Sequence, residues 1–518
     1  AVPPPHRPYH RRTGRTSRTT ADPPYRPHHR RTDRTAADPT APLYQPYHRR
    51  PDRTAEPPHH HAPTEPPRPA RRAHSMGESI VQTRRAAVLS AAAVALSALP
   101  GRAAAAPAAA ARAGSGTAPR RGQVPAARAA DDAEPGLLPV ALPAPGGPYP
   151  VGTVALRLVD RSRPDPWVAR PYRELMVSVR YPAHRVAGYP RAPQMLPGEA
   201  AAFARLNGLQ GVPGDRVDWA ATRTHAHQGA PAAVGRFPVV LYSPGAGDPR
   251  GLGSTLCDDL ASRGYAVVTV DHTYDAVAVE FPGGRVELTV LPEEFAKVAP
   301  DPEHPDPARV APLLRRTVEV RVADTRFVLD RLPRALPPAL RDVMDFGRLG
   351  MFGHSAGGFT ALQAMDEDPR IRAAANFDGV LAYVQEDGDH GYLSPVAAHG
   401  LDRPFLLVGK DGNTRRTVPS WDALWERSTG PRHGLTLRGA EHATYTDAEP
   451  LVPQIARALR LPATTVTSLI GTIPPRRAIA TERACLAAFF TRYLNAGAGR
   501  PGPLEWPVRR FPDLRPFA

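Results

Sequence analysis

What most limits the fold of this chain is an alternation that begins near residue 136. Val239-Val240-Leu241-Tyr242, Ala266–Val270, Leu349–Phe352, Ala373–Phe377 and Phe405–Val408 are short, almost unbroken apolar runs, with segments of helical period between them. A strand apolar at successive positions has both faces covered, and strands of that kind separated by helices form a parallel sheet between two helical layers. Helices are predicted over about 252–263 (Leu252, Leu256, Cys257 and Leu260 on one face), 317–332, 357–366 and 481–494. Val154–Val159 and Leu175–Tyr181 alternate with period two and read as earlier strands. Segments 185–235 and 283–312 read as loops or short helices laid over the sheet. The whole of 136–518 is expected to be one α/β domain.

The 518 residues carry a net charge of +16, but that charge is unevenly placed. The first 130 residues hold 22 Arg against 7 acidic residues, whereas the remainder holds 44 basic and 43 acidic ones. The basic balance therefore describes a leader with too little apolar surface to build a core, and nucleic acid is not an expected partner. Residues 1–75 contain a repeat of period 19. Pro8-Tyr9-His10-Arg11-Arg12-Thr13 returns as Pro27-His28-His29-Arg30-Arg31-Thr32 and as Pro46-Tyr47-His48-Arg49-Arg50. Such Pro/Arg/His composition is expected to stay disordered, and the segment reads as sequence upstream of the native start. Met76 opens a charged stretch ending in Thr83-Arg84-Arg85, followed by the modestly apolar Ala86–Leu99 and the Ala-rich 103–111. That order predicts an export signal over 76–111, of twin-arginine type, then a linker over 112–135 and a secreted product. No stretch reaches the length of a membrane span. Two cysteines, Cys257 and Cys485, make neither a disulfide framework nor a zinc site, though export would allow one bridge between them. The histidines lack metal-ligand spacing, and no cofactor or metal is expected.

One pentapeptide carries the chemistry. Gly353-His354-Ser355-Ala356-Gly357 lies between a buried strand and a helix, where a strained turn exposes a serine hydroxyl at a helix N-terminus. A side chain at 353 or 357 is expected to collide with neighbouring backbone. An acyl-transferring serine also needs two N–H donors for its oxyanion. Ala356 follows the serine, and Ala246 lies in Ser243-Pro244-Gly245-Ala246-Gly247 after an earlier strand. His433 and His442 are the histidines after the last predicted strand, and His442 stands where a general base is needed, before the terminal helices. His433 reads as part of a polar turn. The acid is Asp378 or Asp411, each after a strand, with Asp378 preferred. The position usually acidic in the later loop is Asn413, and Lys410 reads as a surface partner for Asp411.

Together these residues resemble the plasma-type platelet-activating-factor acetylhydrolase family and its bacterial lipase and esterase relatives. The resemblance runs from Gly147-Pro148-Tyr149-Pro150 to the helix near 494. It includes Phe237–Gly245, Asp259-Leu260-Ala261-Ser262-Arg263-Gly264, Gly353–Gly358, Phe377-Asp378 and Arg438–His442. It implies the α/β-hydrolase fold, an acid at Asp378, and cofactor-free hydrolysis of short-chain acyl esters or lipids. Pro244 and Ala356 depart from residues common in the family, and both positions wall the acyl pocket. The expected partner is a small-molecule or lipid ester, with at most transient contact to a lipid surface. The rival enzyme is a triacylglycerol or polyester (cutinase-like) lipase. The rival non-enzymes are a silent hydrolase-like binder and a polyanion-binding adhesin acting through residues 1–75.

Overall fold

The computed structural model describes residues 136–517, apart from 207–208, 303, 385–390 and 496–504. The repeat, with the export signal and linker expected over 76–111 and 112–135, lies outside the described residues.

The strands are β1 (Val151–Asp160), β2 (Arg173–Pro182), β3 (Arg191–Pro193), β4 (Arg223–Gln228), β5 (Phe237–Ser243), β6 (Ala266–Asp271), β7 (Ala278–Phe281), β8 (Arg285–Leu288), β9 (Met344–His354), β10 (Ile371–Phe377), β11 (Phe405–Gly409), β12 (Arg432–Leu437) and β13 (Leu514–Pro516). The helices that matter here are α1 (Pro197–Leu206), α2 (Ser254–Ser262), α3 (Leu291–Val298), α4 (Pro307–Ala335), α5 (Pro338–Arg341), α6 (Ala356–Glu367), α7 (Pro395–His399), α8 (Pro419–Arg427), α9 (Ala448–Leu459), α10 (Ala463–Ile470) and α11 (Pro475–Leu494).

Eleven strands form one sheet in the order β13-β12-β11-β10-β9-β5-β6-β2-β1-β4-β3. The block from β6 to β12 is parallel throughout, and β1, β2 and β13 join it with antiparallel pairings. The unbroken apolar strands are explained by two cores. Val239 and Leu241 of β5 point into one core while Val240 and Tyr242 point into the other. In β11, Phe405 and Leu407 divide from Leu406 and Val408 in the same way. The first core is closed by α4, α6, α7 and α8, and the second by α2 and α11. Both faces of these strands are thus covered, which is why the runs are apolar at successive positions.

Strand order also sets where chemistry can occur. From β5 the chain moves through α2 to β6 on one side, while β9 lies on the other side. The loops leaving β5 and β9 therefore diverge over a crevice at the carboxyl ends of adjacent strands, the usual ligand position in open α/β sheets.

Three expectations need correction. Part of 185–235 is in the sheet: β4 pairs with β1 in parallel, Val151 against Ala226. Its sequence, Arg-Thr-His-Ala-His-Gln, is half-exposed between β1 and the three-residue edge strand β3, so no apolar run marks it. His433 is inside β12, not in a polar turn, and its Nε2 meets the Tyr493 hydroxyl at 2.7 Å. Burial then pushes its imidazole down to about 4. Cys257 and Cys485 belong to the same core, on α2 and α11, yet both are free. Each packs as a small apolar side chain, and burial pushes both thiols up, away from the thiolate that disulfide exchange needs. Among the described residues, no helix is long and apolar enough to cross a membrane.

Candidate active site

Strand β9 ends at His354 and α6 begins at Ala356, so Ser355 alone makes the turn. Its backbone sits at φ 55°, ψ −123°, a conformation that non-glycine residues hold only when the surroundings enforce it. The enforcement is visible. The Ser355 N–H donates to the Phe377 carbonyl at 2.8 Å, tying the turn to the end of β10. A Cβ at Gly357 would lie 1.9 Å from the Ser243 carbonyl oxygen, and one at Gly353 would lie 2.3 Å from the Gly357 backbone. The two glycines let β5, β9 and α6 close to backbone contact behind the serine. The Ser355 side chain is half-buried, and among the described residues its hydroxyl has no hydrogen-bond partner. Such bonds in resting hydrolases often tighten only with substrate bound.

Asp378 follows β10 directly, at φ 56°. Its turn is locked by Asn376, which accepts from the Gly379 N–H at 2.8 Å and donates to the Gly379 carbonyl at 2.7 Å. Trp421 Nε1 donates to the same carbonyl at 2.7 Å. The Asp378 carboxylate, 4% exposed, has all its donors defined. Oδ1 accepts from the Lys410 backbone N–H at 3.0 Å and from Asn413 Nδ2 at 2.7 Å, and Oδ2 accepts from His442 Nδ1 at 2.6 Å. Burial works to raise this carboxyl, but the bond and charge from His442, with the Lys410 and Asn413 donors, outweigh it. The group stays below the usual carboxylate range and is ionised at neutral pH.

His442 opens a short helical turn, His442–Tyr445, after β12. Its carbonyl accepts from His354 Nε2 at 2.8 Å, and the two rings lie 4.5 Å apart. Burial pushes His354 below the ordinary histidine value, so its neutral ring spends its one N–H on this carbonyl. His354 thereby fixes the backbone that carries His442. Asp411 is elsewhere: it is exposed, and its carboxylate accepts the Gly439 N–H at 2.9 Å. Lys410 pairs with Glu441 at 2.6 Å, not with Asp411 as expected.

The remaining feature is the Ser243–Gly247 segment. Gly247 N–H donates to Asp275 Oδ1 at 3.1 Å, and the Pro244 and Gly245 carbonyls accept from Arg321 at 2.7 and 3.0 Å. Proline has no N–H. Among the described residues, the N–H groups of Gly245 and Ala246, and that of Ala356 at the start of α6, have no acceptor. Donors without acceptors beside a half-buried serine are what a developing oxyanion requires. Sequence reasoning passed over Asn376, Asp275 and Arg321, and took Asn413 as a lost acid, not as a donor to Asp378. Asn376 and Asp275 stand near strand ends, whereas Arg321, inside α4, carries no local signal.

A parallel sheet with two helical layers, a serine in a strained strand–helix turn and a histidine held by a buried carboxylate define an α/β-hydrolase. Comparison with known proteins narrows this. Residues 214–281 match the family described as platelet-activating factor acetylhydrolase, isoform II. An Arthroderma benhamiae protein named "Probable 1-alkyl-2-acetylglycerophosphocholine esterase" is 28% identical over 391 residues, 72% of this chain and 92% of that one. The platelet-activating factor acetylhydrolase of Bos taurus is 24% identical over 277 residues, 50% of this chain and 58% of its own length. The solved ferulic acid esterase of Streptomyces cinnamoneus superposes with a TM-score of 0.57 at 36% identity, covering 73% of this chain and 99% of that one. The chain belongs with the α/β-hydrolase esterases, is similar to the platelet-activating-factor acetylhydrolase family, and is a carboxylic ester hydrolase.

Proposed function

We propose that the protein hydrolyses short-chain acyl esters through an acyl-enzyme on Ser355, with His442 as general base, Asp378 as its orienting acid, and the Ala246 and Ala356 N–H groups as oxyanion donors. The observation that carries this reading is the 2.6 Å bond from His442 Nδ1 to a buried, ionised Asp378 at the strand end beside the strained Ser355 turn. With Nδ1–H committed to the carboxylate, Nε2 is the free lone pair that can take the Ser355 proton. The serine oxygen attacks the ester carbonyl, the oxyanion is held by backbone N–H groups, and His442 protonates the departing alkoxide. Water then repeats the sequence on the acyl-enzyme.

For the substrate, the acetylhydrolase relatives favour a short acyl group on a lipid-like alcohol. The 36% identity to the ferulic acid esterase favours a second reading, an aromatic acyl group on a simple alcohol or sugar. Export through the signal read over 76–111 is part of the proposal, and it rests on the order of charged, apolar and Ala-rich segments there. A fluorophosphonate probe tests the site: it should label Ser355 in the wild type and nothing in Ser355→Ala. That variant should also lose turnover by a factor on the order of 10⁶. A panel of 4-nitrophenyl esters from acetate to palmitate, a 2-acetyl phospholipid and methyl ferulate separates the substrate readings. Long-chain preference would sink both.

A further inference from the structure

The oxyanion segment is held by a buried polar array that the reaction as described does not use. Arg321 of α4 and Asp275, which follows β6, are each 1% exposed on their side chains. Arg321 Nε and Nη2 grip Asp275 at 2.7 and 2.6 Å. Its remaining N–H groups go to the Pro244 carbonyl, the Gly245 carbonyl and Ser243 Oγ, the last at 3.4 Å. All five guanidinium donors are therefore spent, two of them on backbone carbonyls of the segment and one on its Ser243 hydroxyl. Asp275 Oδ1 accepts the Gly247 N–H of that segment as well, at 3.1 Å.

A second arm reaches the same place. Ser243 Oγ lies 3.0 Å from His272 Nε2, and His272 Nδ1 lies 3.0 Å from Asp324 Oδ2, which Arg173 holds at 2.8 Å. This is the order of a serine–histidine–aspartate triad, but all three side chains are buried and no ester can reach them. Burial, and after it the neighbouring Arg321, push His272 below its ordinary value despite the pull of Asp324, so the ring is neutral. Its Nδ1–H then faces the carboxylate and its Nε2 accepts from the Ser243 hydroxyl. Ser243 is left able to accept from Arg321.

We propose that Arg321 and Asp275, backed by the Ser243–His272–Asp324 array, are positioning residues that aim the Ala246 N–H at the oxyanion. The physical reason lies in the count of bonds. A five-residue loop rich in glycine is conformationally free, yet both carbonyls of Pro244–Gly245 are drawn toward Arg321, and Gly247 is anchored on both its N–H and, through Val277, its carbonyl. With both carbonyls turned back toward α4, the Ala246 N–H is left free for the crevice. Preorganised donors do not have to reorient as charge develops, which is where their effect on rate arises.

This inference rests on the reading of Ser355 and Ala246 given above, and the experiment separates the two. Arg321→Lys keeps the charge but cannot reproduce a planar fork, and Asp275→Asn keeps the shape but loses the ion pair. In either variant, at equal folded fraction, kcat should fall about 10- to 100-fold, because a displacement near 1 Å costs that much. KM should stay within about threefold, and Ki for a trifluoromethyl ketone, which forms the tetrahedral adduct, should rise by the factor lost in kcat. Should the charged variants fail to fold, Ser243→Ala removes one oxygen and leaves every charge paired. It should lower kcat and weaken the ketone about three- to tenfold. A merely structural array would lower Tm and leave kcat and Ki unchanged, and that result overturns the proposal. Fluorophosphonate labelling of the wild type is the control: labelling away from Ser355 means the reading of the site itself has failed, and this inference falls with it.

Discussion

Replacing Asp378 by asparagine should stop the enzyme for a reason the hydrogen bonds specify. The carboxylate accepts two donors on Oδ1, from Lys410 and Asn413, and one on Oδ2, from His442. An amide has one oxygen to offer. Turning its NH₂ toward Lys410 and Asn413 would set donor against donor twice, so the oxygen stays there and the NH₂ faces His442. The amide then donates to Nδ1, and the imidazole proton moves to Nε2, the nitrogen that must accept the Ser355 proton. In a well-studied serine protease this wrong tautomer costs about 10⁴ in turnover, or about 5 kcal/mol of activation free energy. Folding should change little, because both groups on the Oδ1 side keep their acceptor. The assay is steady-state hydrolysis of 4-nitrophenyl acetate at equal folded fraction. A double variant sharpens it. In Asp378→Asn with Asn413→Asp, the new carboxylate accepts from the amide and turns its oxygen back toward His442. That restores the tautomer but not the charge, and about 10- to 100-fold of the loss should return. Turnover above a hundredth of wild type in Asp378→Asn, or a crippled Asp411→Asn, would refute the reasoning.

Other parts of the molecule make their own predictions. In Gly357→Ala the new Cβ would meet the Ser243 carbonyl at 1.9 Å. The elbow must then move, lowering turnover at least about 100-fold and stability by about 2 kcal/mol or more, as activity and thermal melts would show. Burial pushes the Glu449 carboxyl up to about 8, against a weak pull from Thr444, and it is held neutral in the folded state. A carboxyl raised in this way gives its full stability below the ordinary value of 4.5 and loses it as pH rises through 8. The unfolding free energy from urea titrations should fall by roughly 3 kcal/mol between about pH 6 and pH 10, less so in Glu449→Gln, and equal slopes would count against it. Native protein should give no reaction with a thiol reagent, and unfolding without reductant should release both Cys257 and Cys485. Fewer than two thiols would mean a bridge.

Much of this was legible from local sequence, because the signals were local. Unbroken apolar strands spaced by helices imply a sheet covered on both faces, since only that burial makes every strand position apolar. The Gly353–Gly357 pentapeptide carries its own turn, strand end and helix start, and Ser355 and Asp378 each follow a strand that pattern alone could find, whereas the strand before His442, β12, is not among those predicted. The two limits on this reading are physical. Strand β4 is short and half-polar, because it lies beyond the parallel block, between β1 and the three-residue β3, where its faces are only partly covered and no apolar run is needed. The polar groups that hold the site are separated in sequence: Arg321 lies 77 residues from Pro244, and Asn413 lies 35 from Asp378. A buried arginine on a helix has the same sequence signature as a solvated one, since burial depends on what packs over it. The order of strands across the sheet brings α4 beneath the β5 loop and the β11 loop beside Asp378. Tertiary structure therefore decided which polar residues became supports for the site, while the local pattern had already determined where the proposed nucleophile and acid, Ser355 and Asp378, could stand.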